Sequence, residues 1–154
     1  MNGVSWAEFV ASDMGFAEAG ARLLVGADGI GLAWLATQGE NGPHLGPCCP
    51  VFSRGRVFLI MSVGTAEVTD LRANGRYALH ARLGEEEEAF WFSGSAVEVT
   101  DAEVRAIVHA DVPQPARDAD APIFELRLSR ALHVTWRAFG TPEAERIARR
   151  WPHA

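Results

Sequence analysis

The chain has 154 residues, nearly half of them apolar, which is enough for one ordinary domain with one core. A formal net charge of −6 and the lack of any basic run beyond Arg146, Arg149 and Arg150 exclude a concentrated cationic surface for the nucleic-acid backbone. The two cysteines, Cys48 and Cys49, are adjacent and point to opposite sides of a strand, so they form no disulfide framework. No apolar run reaches the length of a membrane span, and no signal-peptide pattern opens the sequence, so the expected location is the cytoplasm.

Residues 5–25 read as an N-terminal helix, with Trp6, Phe9 and Val10 on one side and Ala17, Ala21 and Leu24 following at helical spacing. Gly15 and Gly20 weaken it, and a break is expected near Met14–Gly15. Gly26 to Gly31 has neither the preceding strand nor the following helix of a dinucleotide fingerprint, and reads as a turn. Strand signals then dominate over about 29–138. Ile30 to Thr37 is a first strand, and Asn41-Gly42 a hairpin turn. The segment from His44 to Phe52 returns as a second strand interrupted by Pro47 and Pro50, which places it at a sheet edge or on a bulge. Arg56 to Met61 is a third strand. Thr65 to Asn74 is a short helix, Arg76 to Leu83 a fourth strand, and Glu85 to Glu88 a solvated hairpin tip.

Ala89 to Thr100 is a fifth strand, and Thr100 with Glu103 forms a capping box for the next helix. A loop rich in proline and aspartate runs from Asp111 to Pro122. Ile123 to Ala138 is a sixth strand, in which Phe124, Leu126 and Leu128 alternate with polar residues. Thr141-Pro142 opens a closing helix over about 142–151. The short connections exclude a βαβ nucleotide-binding sheet. They imply a mainly β fold with short helices, an antiparallel barrel or strongly coiled sheet.

The familiar catalytic signatures are absent: no HExxH, no CxxC, no GxSxG, and no metal-ligand spacing among the five histidines. His44 stands on the proline-broken strand, whose backbone cannot pair fully, and is the best candidate for a ligand-facing group. His133 alternates away from Leu132 and Val134, toward solvent or a partner. Phe90, Trp91 and Phe92 are consecutive on a strand and so point to both faces. One face lines the core, and the other calls for a second cover, which a homodimer supplies.

The run LATQGENGPHLGPCCPVFSRGRVFLIMSVGTAEVTDLRANGRYALHA from Leu35, with the later FWFSGSAVEVTDAEV, resembles the pyridoxamine 5'-phosphate oxidase-like, FMN-binding split-barrel family. The resemblance covers roughly residues 5–137 and rests on the order of several short motifs. It implies a split β-barrel of Greek-key type, homodimeric, with flavin sites at the subunit interface. It also implies FMN-dependent oxidoreductase chemistry on an unknown substrate. By motif position, the cofactor-binding residues would be His44 and Cys49 on the second strand, Leu59 and Ile60 on the third, and Thr65 with Glu67 at the helix start. Glu67 stands where the family has lysine, and no basic residue takes the second-strand positions, with Arg72 or Arg76 the nearest substitutes. These departures set the chain apart from pyridoxamine phosphate oxidase itself. They leave a cofactor-free or small-molecule-binding relative as the alternative, or one that binds deazaflavin F420 or haem, with His44, His109 and His133 as axial candidates.

Overall fold

The computed structural model describes residues 3–113 and 118–153; the centre of the proline- and aspartate-rich loop, residues 114–117, lies outside them. The N-terminal helix is two helices, α1 (Trp6–Ser12) and α2 (Met14–Leu24). The break falls at Asp13, whose extended backbone interrupts the helix and whose carboxylate accepts from the Phe16 N–H at 3.0 Å. Ser5 and Glu8 form a reciprocal capping box on α1.

The strands are β1 (Ala33–Gly39), β2 (Gly42–Cys48), β3 (Pro50–Ser53), β4 (Arg56–Ile60), β5 (Arg76–Ala81), β6 (Ala89–Glu98), β7 (Ile123–Arg137) and β8 (Glu145–Trp151). Helix α3 (Ala66–Asn74) joins β4 to β5, and α4 (Ala102–Ala110) follows β6. The sheet runs β2-β1-β5-β6-β7-β4-β3, entirely antiparallel, with β8 also paired to β7.

The proline-broken strand explains the architecture. It is two strands, and they lie at opposite edges of the sheet: β2 carries Pro43 and Pro47 at one edge, and β3 carries Pro50 at the other. At an edge a missing N–H costs no ladder bond. Only Cys49 separates β2 from β3, so the two edges are joined by a single kink and the sheet must curl back toward itself. The result is a curled, open, split antiparallel sheet. Gly31 packs against the kink so closely that a Cβ there would lie 2.1 Å from the Pro50 carbonyl oxygen.

Inside the curl, Phe9, Phe16, Leu24, Leu35, Leu79, Phe90, Phe92 and Leu126 are fully buried. Each such side chain contributes about 1.5–3 kcal/mol by leaving water. Trp6 meets Phe9, Phe52 and Phe92 edge to face, which ties α1 to the barrel wall. A smaller cluster of Val51, Phe58, Ile60, Val99, Val108 and Ile123 is partly closed by α4. No helix among the described residues is long and apolar enough to cross a membrane.

Four expectations need correction. The segment expected as a closing helix over 142–151 is the strand β8, drawn out along the free edge of β7 and pinned where Trp151 packs on Phe9 at 4.9 Å and donates to Ser12 Oγ. Asp101, not Thr100, caps α4, accepting from the Val104 N–H at 2.9 Å. His133 does not face solvent; it is buried within the chain and its Nε2 lies 2.7 Å from Glu88. Glu88 accordingly leaves the solvated tip and folds back onto Arg22 and His133. Burial opposes its ionisation, but the Arg22 and His133 hydrogen bonds outweigh it and hold its carboxyl below the usual range.

Candidate functional site

At the kink, β2, the end of β4 and the start of α3 enclose a groove of about 360 Å³. Of the six residues singled out from sequence, Cys49, Ile60, Thr65 and Glu67 line it together. Leu59 does not; strand alternation turns it into the main core, where it is 1% exposed. His44 lies elsewhere, with its Nδ1 2.7 Å from Asp70 Oδ2. Sequence reasoning missed Pro47, Cys48, Met61 and Ser62, which also line the groove. The signal was the kink at Cys49, which lets neighbouring residues of one strand serve the same cavity.

The groove is apolar along Leu35, Ile60 and Met61 and polar at the α3 end. Burial pushes the Cys48 thiol up to about 12, with the neighbouring Cys49 adding to the effect, so Cys48 stays protonated and packs as a small hydrophobe. Thr65 spends its hydroxyl locally, accepting from the Val68 N–H and donating to the Ser62 carbonyl. Glu67 reaches over Gly46: a Cβ on that glycine would sit 2.9 Å from Glu67 Oε1. Among the described residues no arginine lines this groove, and Arg72 is committed to Glu98 by two hydrogen bonds of 2.9 and 2.7 Å.

An FMN phosphate here would lie against a carboxylate with no cation to balance it. The residues present therefore do not fit the phosphate of that cofactor.

His44 instead belongs to a half-buried polar unit. Asp70 on α3, 5% exposed, accepts from the Thr37 hydroxyl at 2.6 Å and meets His44 at 2.7 Å, tying α3 to both strands of the first hairpin. Gly39 makes room, since a Cβ there would meet both Asp70 and His44 at 2.8 Å. The His44 hydrogen bond, then that of Thr37, holds the Asp70 carboxyl below its ordinary value against the effect of burial. A depressed folded value means stability that is present above the ordinary aspartate range and lost as pH falls through the folded one. In urea unfolding, wild type should exceed Asp70→Asn in stability at pH 6. That gap should shrink as the pH drops below 3.8.

Neither a family model nor a curated relative matches the sequence. Solved structures match the fold. A protein related to general stress protein 26, of the pyridoxinephosphate oxidase family, from Clostridium acetobutylicum is 14% identical, with a TM-score of 0.59 over 93% of this chain and 94% of that one. A pyridoxamine 5'-phosphate oxidase-related, FMN-binding protein from Nostoc punctiforme is 14% identical, with a TM-score of 0.54 over 89% and 95%. A heme-binding protein from Mycobacterium smegmatis is 18% identical, with a TM-score of 0.53 over 75% of this chain and 52% of that one. The chain thus shares its fold with these solved structures, two of which are pyridoxinephosphate oxidase family or pyridoxamine 5'-phosphate oxidase-related proteins.

Proposed function

We propose that this chain is a homodimeric split-barrel protein that binds a small molecule in the groove at the Cys49 kink. The ligand has an apolar body and a neutral or cationic end, and carries no phosphate toward α3. The observation that carries this reading is Glu67, whose carboxylate lines the α3 end of the groove with no ion pair among the described residues. Such a group attracts a hydrogen-bond donor or a cation and repels an oxyanion.

The dimer rests on the outer face of the sheet. The registers of β1, β2, β5, β6 and β7 set Pro47, Trp34, His80, Trp91 and Leu132 in one row across that face. Trp34 is 42% exposed and Leu45, one row over, 70%. An apolar strip of this kind suits a second copy of the same chain, because a two-fold axis matches the strip to itself.

A second reading, an FMN-dependent oxidoreductase, is favoured by the FMN-binding relative from Nostoc and by the hydroxyl of Ser62, which lines the groove ahead of α3. Haem and deazaflavin F420 have less support: among the described residues no histidine lines the groove, and neither does any basic residue that an acidic tail would need. Titration of purified protein with FMN, and with riboflavin as the same ring without phosphate, separates the readings. Wild type should show no saturable FMN binding up to roughly 100 μM, and Glu67→Lys should bind FMN at least about tenfold better. Micromolar binding of one FMN per wild-type subunit would overturn the first reading in favour of the second.

A further inference from the structure

We infer that a second groove, on the outer face of the sheet, is an oxyanion site. It would bind a small molecule bearing a phosphate or carboxylate between Arg76 and Arg130. It is distinct from the groove at Cys49 and does not depend on what that groove binds; it shares Trp91 and the outer face with the proposed dimer row, so a second copy seated there would border the site.

This second groove has a volume of about 630 Å³ between β1, β5, β6 and β7, within the range of small-molecule sites. Arg76 opens β5 opposite Ser95, and Arg130 lies on β7 opposite Ser93. The β6–β7 register slips between them: Ser93 pairs with Arg130, Gly94 with Leu128, and Ser129 is left over. In a regular strand Ser129 and Arg130 would point to opposite faces. Across this bulge both line the groove. Trp91 and Ala78 supply an apolar wall beside them.

No acidic residue among the described ones lines this groove. Arg22, Arg56, Arg72, Arg127, Arg137 and Arg149 each meet a carboxylate. Among the described residues the guanidinium groups of Arg76 and Arg130 meet none, and the hydroxyls of Ser93, Ser95 and Ser129 have no hydrogen-bond partner. Arg54, Arg82, Arg105, Arg146 and Arg150 also meet no carboxylate among the described residues, but only here do two such arginines and three serines line one groove. The chain carries 20 acidic residues against 14 basic ones, so acidic partners are not scarce. Two planar, forked donors with three hydroxyls around them match an oxyanion, which accepts several charge-assisted hydrogen bonds at once.

The test is a titration of the full chain with inorganic phosphate, and in a parallel arm with malonate, at constant ionic strength. Melting temperature and calorimetric heat are the readouts. The expected result is saturable binding that raises the melting temperature, weakened at least tenfold in Arg76→Gln or Arg130→Gln and lost in the double variant. Arg54→Gln, a turn arginine outside the groove, should bind as wild type does. Tighter binding of phosphate or of malonate identifies which group the natural ligand carries. No saturable binding of either anion by wild type would overturn the proposal, whether or not the variants fold. So would equal binding by a folded double variant.

Discussion

Replacing Trp34 and Leu45 together by glutamate should convert the proposed dimer to a monomer on gel filtration, with the far-ultraviolet circular dichroism unchanged. Both side chains point away from the core, at 42% and 70% exposure, and their inward neighbours Ala33, Leu35 and Cys48 are untouched. Their removal therefore spares the barrel. At a two-fold interface each substitution acts twice. It removes apolar area worth about 1.5–3 kcal/mol per side chain, and it sets carboxylates of the two copies near one another in a desolvated contact. Even a combined loss of only about 4 kcal/mol, below that sum, weakens the dimer roughly a thousandfold, enough to dissociate it at micromolar concentration. Single substitution of Val97, 56% exposed but outside this row, serves as the control and should leave the dimer intact. A wild-type protein that elutes with the mass of one chain would end the dimer proposal. A double variant that remains dimeric would move the interface elsewhere.

The parts of the fold legible in the sequence are those where local pattern and tertiary context agree. The alternation of Phe124, Leu126 and Leu128 places β7, and the prolines place β2 and β3 at edges, because a proline's lost N–H has the same meaning in any fold. The segment at 142–151 failed because its pattern supports two answers. Thr141-Pro142 and a run of good helix formers favour helix, yet Ile147, Arg149 and Trp151 also alternate. The exposed half of β7 and the anchors of Trp151 on Phe9 and Arg149 on Asp13 decide for strand. No reading of 142–151 alone contains those partners.

The candidate site divides in the same way. Thr65 was legible as a helix cap because a cap and its helix are local, whereas Glu67 was placed by resemblance. Cys49 and Ile60 were placed by resemblance, and the groove they line comes from a kink that brings the two sheet edges together. His44 was legible as a special histidine but not as Asp70's partner, since Asp70 lies 26 residues further along the chain. The Arg76–Arg130 groove left no local sign at all. It depends on a one-residue slip between β6 and β7, and nothing in either strand's own alternation announces it.

Gly94→Ala tests that slip directly, and it should be among the most destabilising single-methyl additions in the chain. A Cβ at Gly94 would lie 1.9 Å from the Arg127 carbonyl oxygen, 2.9 Å from its carbon and 3.0 Å from the Ser129 nitrogen. All three atoms are backbone, so no side chain can swing aside. Relief requires β6 and β7 to part at the bulge, next to the buried Phe92 and Leu128. Overpacking of this kind costs about 3 kcal/mol, a fall in melting temperature of roughly 6–12 °C for a chain of this size. Gly15→Ala provides the contrast: near the start of α2 its Cβ meets nothing closer than 4.0 Å, and it should stabilise by about 0.5 kcal/mol. Because the same bulge turns Ser129 and Arg130 into one groove, Gly94→Ala should also abolish the phosphate response at temperatures where the variant is still folded. A variant that melts within a degree or two of wild type means that β6 and β7 pair in regular register in solution. Arg130 would then stand without Ser129 beside it.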